Sequence, residues 1–152
     1  MLTMNEKDKN EMLEAILSEN EAYQCKLWAV IMAGADTYAL IGGLSTLTGG
    51  AAAALGALSN AYCYLGVTEQ HLNMVIVNSV NVSKIENRLS LPLSSITKAE
   101  VKGGILPGRK VVMLHFGKEK MKISLMNNAI GSDIQGQKEN VEMFCQIVSK
   151  LG

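Results

Sequence analysis

The side chains able to do chemistry in this chain are few and widely spaced. Its three cysteines, Cys25, Cys63 and Cys145, each sit inside an apolar run, and no two form a CxxC pair. An apolar setting disfavours the thiolate, so these sulfurs are expected to be reduced core residues, neither disulfides nor nucleophiles. The two histidines, His71 and His115, fall in or at the start of predicted strands, and neither has a cysteine or carboxylate nearby at metal-ligand spacing. The acidic residues gather towards the two ends of the chain, which leaves no carboxylate pair for acid–base work. GGLSTLTGG, over residues 42–50, has the glycines of an anion cradle but not the lysine of a P-loop or the spacing of a dinucleotide site. No catalytic, cofactor-binding or metal-binding residue is assigned, and the expectation is a non-enzymatic protein that works by binding.

One polar grouping stands out. Lys98, Lys102, Arg109, Lys110, Lys118, Lys120 and Lys122 fall on the outward faces and turns of the last three predicted strands, offset in part by Glu100 and Glu119. Such a face could meet an acidic partner or an anionic membrane surface, where each lysine contributes about 1 kcal/mol at most. The commoner explanation is a solvated face whose lysines guard strand edges against aggregation, and the sequence favours it.

These side chains must be positioned by a chain of 152 residues, enough for one domain with a substantial core. Lys and Arg total 14 and so do Asp and Glu, so no net charge draws the protein to nucleic acid, and no aromatic-rich basic helix is present to compensate. The N-terminal MLTMNEKDKNEMLEAI mixes charges where a secretory signal needs an unbroken apolar stretch, which points to the cytoplasm.

Thr3 and Glu6 stand at capping-box spacing, and Leu13, Ile16 and Leu17 make a narrow apolar stripe, predicting a helix over about residues 4–18. Tyr23, Cys25, Leu27, Ala29 and Ile31 then alternate with Gln24, Lys26, Trp28 and Val30, the period of a strand. Residues 60–79 read as a hairpin turning near Glu69 and Gln70. Leu89, Leu91 and Leu93 alternate with Arg88, Ser90 and Pro92 in a further strand, and Pro92, having no N–H, places it at an edge or ends it. Residues 94–104 supply another strand, with Ala99 and Val101 inward. KVVMLHF and EKMKISL form a hairpin, and Val141, Phe144, Cys145, Val148 and Leu151 line one side of a closing helix.

About seven antiparallel strands followed by one amphipathic helix describe an α+β barrel with a helix over one opening. YLGVTEQHLNMVIV resembles the second and third strands of bacterial pleckstrin-homology-like and GRAM-like domains, through Val67, Thr68 and Leu72, with Glu69 where those domains usually carry Asp and His71 where they carry Arg. LSLPLSSITKAEVKGGILPGRKVVMLHF resembles their middle section. The resemblance covers roughly residues 60–151 and implies a single PH-like domain over 1–152. Residues 20–32 would be its first strand and 33–60 an insertion in the first connection. Phosphoinositide-binding members of that fold hold the head group with basic residues in this connection. Here it carries none, so that ligand mode does not transfer.

Asp36 is the only charge in 33–60, and Gly, Ala, Ser and Thr dominate. Tyr38 to Leu58 is long enough to span a bilayer, but its five glycines and missing basic or aromatic anchors argue against it. An uncharged surface of this size marks an interface. The expectation is therefore homo-oligomerisation through Tyr38, Leu40, Ile41, Leu44, Leu47, Leu55 and Leu58, with Ala51 to Leu58 able to form a short helix. The alternative is a membrane-associated module in which the same insertion meets lipid and the basic face settles on head groups.

Overall fold

The computed structural model describes residues 3–32, 61–78, 80–103, 108–117, 119–127 and 132–151. Among them are helix α1 (Glu6–Ala15), strands β1 (Cys25–Ile31), β2 (Ala61–Val67), β3 (His71–Val77), β4 (Ile85–Pro92), β5 (Lys98–Gly103), β6 (Arg109–Phe116) and β7 (Glu119–Met126), and helix α2 (Gln137–Ser149). The insertion at 33–60, with its seven expected interface residues and the expected helix at 51–58, lies outside the described residues, as does Lys118.

The strands form one antiparallel sheet in the order β4-β3-β2-β1-β7-β6-β5. Leu27, Cys63, Leu65, Leu72, Met74, Leu89, Leu91, Val112, Leu114, Met121, Ile123 and Leu125 bury the inward side of six strands, and Ala99 and Val101 of β5 pack against them. The period-two alternation in each segment fixes this face, because a one-residue slip would turn every apolar side chain outward. Val141, Phe144, Cys145 and Val148 of α2 complete the same core.

The architecture is the expected α+β one, with one correction. The hydrogen-bonded ladder does not close into a barrel, because β4 and β5 are its two ends and do not pair. Pro92, which ends β4, offers no N–H, and the 3-10 turn Leu93–Ser95 carries the chain away. The edge position read from Pro92 is the one observed.

A second seam lies between β1 and β7, which pair only at Val30↔Ser124 and Ile31↔Ile123. Beyond that point α2 supplies the missing partners. Gln137 accepts from the Trp28 N–H at 3.2 Å and donates to the carbonyls of Trp28 and Met126, both at 2.9 Å. Asn140 accepts from the Lys26 N–H at 3.2 Å. Gly136, with φ +65, makes the bend that starts this helix.

On its outer side the sheet is covered over β1–β3 by α1. Leu13 and Met4 pack with Trp28, Tyr64, Val75 and Val77 in a second apolar cluster. Trp28, assigned to the outward face by alternation, is buried there. The helix is shorter than its pattern, and its N-cap is Asn5 instead of Thr3. The Asn5 side chain accepts from the Asp8 N–H at 2.9 Å, while Glu6 accepts from the Gln135 N–H and pairs with the buried Lys9. Gly66 of β2 lets Tyr23 lie against the strand, since a Cβ there would sit 2.5 Å from the ring.

Candidate functional site

Strand register sorts the basic residues. Across β5, β6 and β7 the outward rungs read Lys98↔His115↔Lys120, Glu100↔Met113↔Lys122 and Lys102↔Val111↔Ser124, and the last continues to Val30 of β1. Arg109 shares this parity, opposite Met126. Lys98, Lys102, Arg109, Lys120 and Lys122 therefore share one face, as the alternation in the sequence implied.

Lys110 does not belong with them. It pairs with Gly103 and Leu125, on the side of the buried residues, and lies beside Glu142, Cys145, Gln146, Ser149 and Lys150 of α2 and the residue after it. β6 begins at Arg109, so the adjacent Arg109 and Lys110 are both strand residues and point to opposite faces.

On the outer face a cleft of about 340 Å³ is lined by Met32, Glu100, Lys102, Gly103, Arg109, Val111, Met113 and Lys122. Met32 arrives there because its N–H continues the β1 ladder onto the Lys122 carbonyl at 2.9 Å. Arg109 donates from Nε to Ser124 Oγ at 2.8 Å, and Ser124 is buried, so the guanidinium is held from behind. Glu100 meets His115 Nε2 at 2.9 Å and Lys98 Nζ at 3.6 Å. The His115 hydrogen bond, with Lys98 and Lys102 nearby, holds its carboxyl below the usual glutamate range. Lys102, Lys120 and Lys122 make no ion pair among the described residues.

Each histidine is satisfied by a carboxylate that is not its neighbour in the sequence. His71 Nδ1 lies 2.9 and 3.1 Å from the two oxygens of Glu21. The same carboxylate accepts from the Thr68 hydroxyl, whose oxygen accepts in turn from the Gln70 and His71 N–H groups at 3.1 and 2.9 Å. The carboxylate stands between hydroxyl and imidazole, so the ring is not placed to take the Thr68 proton, as a nucleophilic triad requires. The cluster fixes the β2–β3 turn, which gives Thr68 of the Val-Thr-x-x-x-Leu pattern its physical role. Sequence spacing could not reveal these pairs.

The cysteines behave as their apolar surroundings imply. Burial pushes the Cys25 and Cys63 thiols up to about 12 and raises that of Cys145, so none is a ready thiolate at neutral pH. Among the described residues no three of His, Cys, Asp and Glu converge as metal ligands, and no helix is long and apolar enough to cross a membrane.

The sequence matches no protein family and no curated protein. Among solved structures, the fold is similar to the hSac2 domain from human phosphoinositide phosphatase Sac2, with a TM-score of 0.52 and 11% identity over 91% of this chain and 74% of that one. At that identity the likeness is one of fold alone.

Proposed function

We propose that this chain is a PH-like, non-enzymatic binding domain whose basic outer face on β5–β7 takes an anionic partner. The observation that carries the reading is the convergence of Lys102, Arg109 and Lys122 on one cleft, with Lys98 and Lys120 on the same face. In a chain of zero formal charge, clustering these five cations on one face, with the Glu100 carboxylate beside them, creates a local field that the net charge conceals. The PH-like assignment is supported by seven antiparallel strands in one ladder, the Thr68 turn between β2 and β3, and a final helix in the core. A cytoplasmic protein that engages membranes only peripherally fits this reading.

Sedimentation with phosphatidylserine vesicles and titration with polyglutamate, both at low salt, test it. Binding to either, weakened in the Lys102→Gln/Lys120→Gln/Lys122→Gln variant and by added salt, supports the reading. Absence of binding to both removes it.

A second reading is self-association through Tyr38, Leu40, Ile41, Leu44, Leu47, Leu55 and Leu58. It draws on the uncharged stretch 38–58 of the insertion and on Tyr62, an exposed aromatic just after the insertion that stands edge-on to Trp28 with ring centroids 6.4 Å apart. Light scattering on the intact chain and on one with 38–58 replaced by a Gly/Ser linker decides it. A monomer in both would end that reading.

A further inference from the structure

The cleft on β5–β7 combines two chemistries. Lys102, Lys122 and Arg109 bring three cations to it, and Met32, Val111 and Met113 bring apolar surface. The negative charge in the same lining, Glu100, is already engaged by His115 and Lys98. Arg109 spends Nε on the buried Ser124, which leaves its terminal nitrogens without a partner among the described residues.

Three cations around one opening repel each other, and the occupant that relieves this brings more than one negative charge. A carboxylate supplies one. A phosphomonoester supplies about −1.5 to −2 at neutral pH, with three acceptor oxygens for the ammonium groups and the guanidinium fork. The methionine and valine surfaces then cover whatever carries the phosphate. A volume of about 340 Å³ is at the small end of ligand pockets, enough for a phosphate and a ring or the neck of an acyl chain.

We propose that the cleft is a binding site for a phosphomonoester borne on an apolar or aromatic body, either a soluble metabolite or the head group of a lipid such as phosphatidic acid. The proposal rests on the reading of this face as an anion-binding surface and narrows it to one chemistry.

The test is calorimetric titration of the full chain with phenyl phosphate, compared with benzoate at the same ionic strength. Single-site binding is expected, tighter than that of benzoate. Lys102→Gln/Lys122→Gln and Arg109→Gln should each weaken it by at least about tenfold, the loss of a charge-assisted bond. Lys84→Gln/Lys138→Gln, two exposed lysines outside β5–β7 and outside the cleft lining, should change it by less than about threefold, as screened charges do. The lysine pairs are exposed, so the comparison stands even if Arg109→Gln impairs folding. Vesicles of equal charge separate the sources. Preference for phosphatidic acid over phosphatidylserine, competed by phenyl phosphate, assigns a lipid head group, and phenyl phosphate binding without that preference assigns a soluble ligand. No saturable binding of phenyl phosphate, equal binding of benzoate, or equal loss in the Lys84/Lys138 variant overturns the proposal. If polyglutamate or phosphatidylserine vesicles still bind in that case, the broader anionic reading survives; if they do not, both fall.

Discussion

Replacing Gln137 by leucine preserves side-chain size and apolar packing but removes the amide that seals β1 to β7. Gln137 is buried, and its amide contacts the Trp28 N–H, the Trp28 carbonyl and the Met126 carbonyl at 3.2, 2.9 and 2.9 Å. Leucine would leave one donor and two acceptors without this partner where water has little access. A buried polar group stranded in this way costs about 1–3 kcal/mol, and carbonyls tolerate the loss better than N–H groups. The expected total is about 3–5 kcal/mol, a large share of the roughly 5–15 kcal/mol typical of a domain. In urea the midpoint should fall at nearly constant slope, since the surface exposed on unfolding is unchanged, and the melting temperature should drop by about 10 °C. Lys138→Ala, one residue on and exposed, should stay within about 0.5 kcal/mol. Asn140→Ala, which removes one bond to the Lys26 N–H and one to the Gly136 carbonyl, should fall between them at about 1 kcal/mol. A loss under about 1 kcal/mol for Gln137→Leu, or faster exchange at Lys26 without faster exchange at Trp28, would refute the sealing role.

Gly66→Ala should destabilise by about 1–3 kcal/mol, because the new methyl meets the Tyr23 ring while the Leu13 carbonyl and Asn73 hold the Tyr23 hydroxyl; urea unfolding checks it. Glu21 is held below its ordinary value of 4.5 by hydrogen bonds from Thr68 and His71, so its contribution is complete at neutral pH and is lost as the pH falls from 4.5 through the depressed folded value. Melting temperature against pH should accordingly fall less steeply below about pH 4.5 in Glu21→Gln than in the parent. The thiols of Cys25 and Cys63, raised to about 12 by burial, should resist iodoacetamide in the folded protein and react at the ordinary rate in denaturant, with mass spectrometry as the readout.

The inward faces of the strands and of α2 were legible because alternation and helical period are properties of consecutive residues. Leu89 and Leu91 bury together because they are two apart with Ser90 between them, and Arg88 and Ser90 take the other face. The basic face followed from the same rule at Lys98, Lys102, Lys120 and Lys122, and Lys110 departs from it because β6 already includes Arg109, so that these two neighbours point to opposite faces. Thr3 was a plausible cap by spacing, yet Asn5 holds the position once Glu6 is drawn to Lys9 and the backbone of Gln135.

The sequence alone therefore determined the strand-rich architecture, the core face of each element and the absence of basic residues from the insertion at 33–60. Tertiary structure decided what crosses from one element to another: Glu21 on His71, Glu100 on His115, Gln137 in the β1–β7 seam, and the meeting of Lys102, Arg109 and Lys122 around Met32. Burial patterning is repeated along the chain and survives reading by eye. A pairwise contact between residues a hundred positions apart depends on register and curvature, which no local pattern encodes.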